Sequence, residues 1–128
     1  MTFEVLGKPQ PKQRARTVNG HSYTPEKTVL YENWVKACYN GQKFEGQLRA
    51  KIECFFPIPK SYPRKRTERC KANLERPTGK NLGDCDNLAK SILDSLNGIA
   101  YDDDSQIVEL NISKHWGDPK AIVTLEEL

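Results

Sequence analysis

No stretch of 18 apolar residues occurs in this 128-residue chain, and no charged segment followed by an apolar one opens it. The first absence excludes a membrane-spanning helix and the second a secretory leader, so a soluble protein in the cytoplasm is expected. The cysteines Cys38, Cys54, Cys70 and Cys85 include no Cys-x-x-Cys pair, which removes the short paired spacing of structural zinc sites. Neither a P-loop nor a dinucleotide fingerprint is present. With His21 in a loop and His115 on a strand, the two histidines give poor support to a nucleophilic triad. Internal repeats, low-complexity tracts and linkers are also missing, and the length suits one domain over residues 1–128.

What is present is an uneven distribution of charge. The formal net charge is only +3, but residues 1–80 carry 17 Lys/Arg against 7 Asp/Glu and residues 81–128 carry 3 against 10. A basic half joined to an acidic half fits a polyanion held by one region and cut by metal bound to the other. Solvated surface charge is the plainer reading of any single basic run.

The apolar pattern predicts an α+β domain. Residues 2–6 alternate as a short strand that stops at Gly7, and residues 8–20 read as an exposed loop or irregular edge strand holding Lys12, Arg14 and Arg16. Thr24 and Pro25 open a helix as N-cap and first helical residue, with Val29, Trp34, Val35, Ala37 and Cys38 as its apolar stripe and Gly41 as its stop. Strict alternation through 48–58 predicts a half-buried strand with Cys54 in the core, ended by Pro57 and Pro59. Arg64, Lys65, Arg66 and Arg69 dominate a short basic helix within 61–74, and 76–80 form a loop.

Residues 84–97 give the clearest helix, with Leu88, Ala89, Ile92, Leu93 and Leu96 buried and Asn97-Gly98 as its cap. Beyond it, Val108, Leu110, Ile112 and Trp116 form the apolar side of a strand, and a turn at 117–119 returns the chain through Ala121, Val123 and Leu125 as a hairpin. The expected order is β-α-β-α-α-β-β, a mixed sheet carrying helices.

Within this frame, Asp84 and Asp86 stand at a helix start, Lys90 follows one turn later, and Asp102, Asp103 and Asp104 cluster at a strand entrance. Like charges gathered from two elements resist ionising together, so a cation is expected to hold them. Hard carboxylate oxygens suit Mg²⁺, with Mn²⁺ as the other candidate. One or two such ions would neutralise charge on a scissile phosphate. The helix dipole eases the crowding of Asp84 and Asp86, and Asp103 or Asp104 could complete the cage. Lys90 is placed to contact the phosphate or orient the attacking water, and pairing with Asp86 or Asp94 at i,i+4 spacing is compatible with either role. An EF-hand fails: counted from Asp102, Ile107 stands where glycine is required and Ser113 where glutamate is.

These residues resemble the signature of the RusA family of Holliday junction resolvases. The family's D-x-D-N-x-x-K is matched by Asp84 to Lys90, its helix ending in Leu-Asn-Gly by Leu96-Asn97-Gly98, and its D-D-x-Q followed by Ile or Val by Asp103 to Ile107. Its opening G-x-P-x-x-K-x-R-x-R is matched by Gly7 to Arg16, with Tyr23-Thr24-Pro25 following. The resemblance implies a small homodimeric, Mg²⁺-dependent endodeoxyribonuclease that cuts paired strands of four-way DNA junctions. It assigns Asp84, Asp86, Lys90 and Asp104 as the catalytic set, with Asp103 as a helper at the metal.

Lys12, Arg14, Arg16, Arg64, Lys65, Arg66 and Arg69 are the candidate DNA-binding cations. Two other classes stand beside this one: a non-catalytic DNA-binding module with a structural divalent ion, and a less selective nuclease for branched DNA. Lys90 beside intact aspartates argues against the first, because nothing structural requires that combination.

Overall fold

Alternation of apolar residues with Arg49, Lys51 and Glu53 builds the central strand, since period 2 turns every second side chain to the same face. Leu48, Ala50, Ile52, Cys54 and Phe56 are fully buried on one side of it. The computed structural model describes residues 1–13, 16–23 and 25–128, the side chains of Arg16 and Tyr23 excepted. Its elements run β1 (Thr2–Leu6), β2 (Arg16–Val18), β3 (His21–Tyr23), α1 (Glu26–Cys38), β4 (Leu48–Phe56), α2 (Arg64–Lys71), α3 (Cys85–Ser95), β5 (Ile107–Trp116) and β6 (Lys120–Glu127). Single 3-10 turns at Lys80–Leu82 and Asp104–Gln106 lead into α3 and β5.

The main sheet has the order β1-β6-β4-β5, antiparallel except for the β4–β5 pair. Helices α1 and α3 pack against each other, α1 on β1 and α3 on β5. Phe3, Val5, Val35, Leu88, Ile92, Leu96, Val123 and Leu125 close the core together with β4. This is the α+β mixed sheet expected from the sequence.

Five local expectations are corrected. Strands β5 and β6 do not form a hairpin, because β4 lies between them. Residues 117–119 carry the chain over the end of β4, where the Gly117 amide donates to the Phe56 carbonyl (2.9 Å). Apolar β4 needs a hydrogen-bonding partner on each edge, and β5 and β6 supply one each. Val108 and Leu110 are 53% and 47% exposed rather than buried, since β5 is an edge strand that α3 covers only in part.

The stripe of α1 is also displaced. Thr28, Tyr31 and Val35 face the core, while Trp34 stays 47% exposed and donates its indole N–H to the Leu6 carbonyl (2.7 Å). Finally, the region expected as a loop contains a small antiparallel hairpin of β2 and β3, and His21 heads β3. Helix α1 begins one residue later than expected, with Pro25 in the capping position; Thr24, its expected cap, lies outside the described residues.

Candidate active site

Helix α3 presents the site, and the chain before it is held from three directions. Gly83 takes φ +97°, a left-handed conformation that L side chains rarely adopt. A Cβ there would lie 2.6 Å from the Pro11 Cβ, so only glycine lets the 7–13 segment settle against the start of the helix. The same segment is tied down where the Lys12 amide donates to the Asn87 carbonyl (3.0 Å) and Ser91 Oγ donates to the Gln10 carbonyl (2.6 Å). From the sheet side, Lys114 Nζ donates to the Gly83 carbonyl (3.2 Å).

Asp84 then takes the N-cap position with extended backbone (φ −77°, ψ 154°), but its side chain caps nothing. A capping carboxylate ordinarily accepts from the first-turn amides. Asp84 therefore retains its oxygens for another partner, and Asp86 stands exposed in the first turn. Neither carboxylate enters a hydrogen bond or ion pair with the described residues.

Two turns further along α3 the situation reverses. Asp94, its side chain only 19% exposed, meets Lys12 Nζ at 3.1 Å and Lys90 Nζ at 3.6 Å. Lys12 also reaches Glu32 Oε2 on α1 at 3.1 Å. Partial burial works against the Lys12 ammonium, but the hydrogen bonds to Asp94 and Glu32 outweigh it and hold its pKa above the ordinary lysine value. Asp104, just before β5, lies within hydrogen-bonding reach of Asp94. Desolvation first, and then the Asp94 carboxylate, raise its pKa, while Lys90 partly offsets them. Below this group, the buried Tyr101 hydroxyl donates to the Leu93 carbonyl (2.6 Å).

The turn that presents Asp104 is built by its neighbours. Asp103 Oδ2 accepts from the Ser105 amide (3.0 Å), and the Ser105 hydroxyl first and then this amide lower the Asp103 pKa. Gln106 Oε1 accepts from the Asp102 and Asp103 amides (2.9 and 3.3 Å), completing a capping box. Gln106 Nε2 donates to the Phe44 and Gly46 carbonyls (3.1 and 3.0 Å), fastening the acidic turn to the loop before β4. Asp102 turns away to Lys43 (2.5 Å).

The profile of the family described as Endodeoxyribonuclease RusA matches residues 6–126. The chain belongs to the RusA family. A protein of Bacillus subtilis (strain 168), named "Uncharacterized protein YqaN", is 32% identical over 137 aligned residues, covering 98% of this chain and 95% of its own length. RusA-family membership makes the protein an endodeoxyribonuclease, and the α3 face with the 102–106 turn is its candidate catalytic surface.

The residues singled out from the sequence are thus divided between places. Asp84 and Asp86 share the start of α3, and Asp104 is brought against Asp94 with Lys90 nearby. Eight residues of helix separate Asp86 from Asp94, about 12 Å of rise. Among the described residues, no three His, Cys, Asp or Glu side chains stand close enough together to hold a metal ion. Asp103 is engaged as a cap, and Lys12 bridges two carboxylates inside the site.

Of the other expected DNA-binding cations, Arg14 and the Arg16 side chain lie outside the described residues. Helix α2 displays the rest. Arg64 pairs with Glu68 (3.2 Å), Arg66 pairs with Glu75 (3.0 Å) and stacks on Tyr62, and Lys65 and Arg69 are exposed. Surface pairs of this kind are screened by solvent, contribute little, and leave the cations open to phosphate.

Sequence reasoning missed Glu32 and the part played by Gln106. Glu32 carries no local signal, because it joins the site only through packing of α1 on α3. The Asp103–Gln106 spacing of a capping box was readable at the turn.

Proposed function

We propose that this RusA-family enzyme is a Mg²⁺-dependent endonuclease that resolves Holliday junctions by paired cleavage, acting as a homodimer, with Asp84, Asp86 and Asp104 as metal ligands. The observation that carries the reading is the pair of carboxylates at the start of α3, engaged by no other described residue, with Lys90 one turn past Asp86 on the same face. Their donor set fits a hard divalent cation. The raised pKa of Asp104 marks a second place where negative charge is in excess and a cation would be favoured. Bound there, Mg²⁺ would supply neutralisation of the charge that builds on the scissile phosphate.

The chain's own residues do the positioning. Lys90 is 61% exposed with its Nζ 3.6 Å from Asp94 Oδ2, so its ammonium has donors left for a non-bridging phosphate oxygen without becoming buried. Lys12 and Glu32 fix Asp94 from the α1 side, which keeps Lys90 and Asp104 in a set relation. The cations of α2 supply phosphate contacts away from the reacting bond, and their contribution to affinity falls as salt rises. The exposed Val108 and Leu110 on edge strand β5 support a second copy, because apolar edges favour burial against a partner. Two sites related by a two-fold axis match the two cuts that a four-way junction needs.

The test is cleavage of a four-way junction and of a linear duplex of matched sequence, each with and without Mg²⁺, alongside sedimentation of the free and DNA-bound protein. Paired cuts in the junction alone, only with Mg²⁺ and from a dimer, are expected. Equal cutting of the linear duplex would favour the less selective nuclease, and intact junctions in Mg²⁺ would overturn the assignment.

A further inference from the structure

Beside the start of α3 lies a cavity of about 280 Å³ that the metal and phosphate chemistry does not use. Its walls come from three places: Pro57 and Tyr62 after β4, Trp116 at the end of β5, and Asn81 and Leu82 in the 3-10 turn before Asp84, with Lys8 among the remaining lining residues. We propose that this cavity is a nucleobase subsite, which takes up the unstacked base next to the scissile phosphate. The inference rests on the nuclease reading above and adds to it a contact to a base.

Position is the first argument. Asp84 follows Leu82 by two residues, a span of at most about 7 Å. A nucleotide whose phosphate rests at Asp84 therefore has its base within reach of the cavity. The second argument is the lining. Tyr62 and Trp116 meet edge to face with centroids 6.0 Å apart, and aromatic rings are the common platforms for unstacked bases. The Arg66 guanidinium lies 3.8 Å from the Tyr62 centroid, which fixes that ring and brings positive charge to a site for a polyanion.

Polar complementarity is the third argument. The Asn81 amide carries both donors and an acceptor, the combination that reads a base edge. Lys8 can meet the adjoining phosphate. At about 280 Å³ the space is at the small end of ligand pockets and suits one base rather than a duplex.

The experiment compares four-way junctions that are identical except for an abasic site at each nucleotide flanking the cut. Single-turnover cleavage and metal-free binding are both measured, for the natural chain and for Tyr62→Ala and Asn81→Ala. One abasic position should slow the natural chain and weaken its metal-free binding, each about tenfold, the scale of one aromatic–base stack. Tyr62→Ala should lose a similar factor on the intact junction and nothing more on the abasic one. Exposed Asn81 tolerates replacement, and Asn81→Ala should erase any preference among the four bases at that position. Indifference to every abasic position, or losses that multiply between Tyr62→Ala and the abasic site, would overturn the subsite. A natural chain that shows the abasic effect in binding yet cuts nothing in Mg²⁺ would uphold the subsite and remove the nuclease reading instead.

Discussion

The two ends of the α3 face differ in how their carboxylates are held. At the start, Asp84 and Asp86 have no partner among the described residues and stand beside the helix dipole, with the Lys114 ammonium on the neighbouring Gly83 carbonyl. Toward the end, Asp94 is met by Lys12 and Lys90, Lys12 is met in turn by Glu32, and Asp104 crowds against Asp94. The first end is open to a cation, while at the second Asp94 has its cations built in as lysines and Asp104 alone is left to share one with the first. Lys90 stands between them and belongs to both. Acidic residues on one helix face thus split into ligands and supports according to what neighbouring elements bring to them.

Replacing Asp84 or Asp86 by asparagine tests the open end and should have the largest effect. Cleavage of a four-way junction should fall by about a thousandfold or more, the scale of losing a metal-held charge. Junction affinity measured by gel shift should hold or tighten, since the phosphate contacts lie elsewhere and a repelling charge is gone. Lys90→Ala, which removes the group shared by the two ends, should lower the single-turnover rate about a hundredfold with metal affinity retained. Asp94→Asn breaks the closed end and should cost less, about tenfold in rate, because Lys12 keeps Glu32 and Asp104 loses a repelling neighbour. Wild-type rates in the Asp84 and Asp86 variants would make that pair structural.

The smallest effect concerns pH. An acid whose folded-state pKa is raised contributes stability that is complete below its unfolded pKa and lost as pH climbs through the raised value. Metal-free protein should therefore lose the Asp104 contribution as pH rises above the ordinary carboxylate range, and Asp104→Asn should remove that slope from a thermal unfolding series. Asp103 acts in the opposite sense, its lowered pKa giving stability that is lost in acid. Comparing Asp104→Asn with the natural chain separates the two.

Much of this was legible in the chain because the signals were local. The helical period of Leu88, Ile92 and Leu96 and the strict alternation of β4 each decide one element without help from the rest. Sheet order was not legible. Period 2 in β5 and β6 says that both are strands, but the strand between them is chosen by what β4 must pair with. For the same reason Val108 and Leu110 were misplaced, since their alternation is that of a buried face while their exposure follows from an edge position. At the site, the Asp84–Lys90 spacing was readable, whereas the Lys12–Glu32–Asp94 links join three segments through tertiary packing alone.

The contrast between the two ends is tested most directly by titrating metal-free protein with Mg²⁺ and with Mn²⁺ in a calorimeter. The natural chain, Asp84→Asn and Asp94→Asn are compared in the same buffer. Binding that is lost in Asp84→Asn and kept in Asp94→Asn is the result expected if the start of α3 receives the cation. Binding kept in Asp84→Asn and lost in Asp94→Asn would place the cation at the other end and contradict the account.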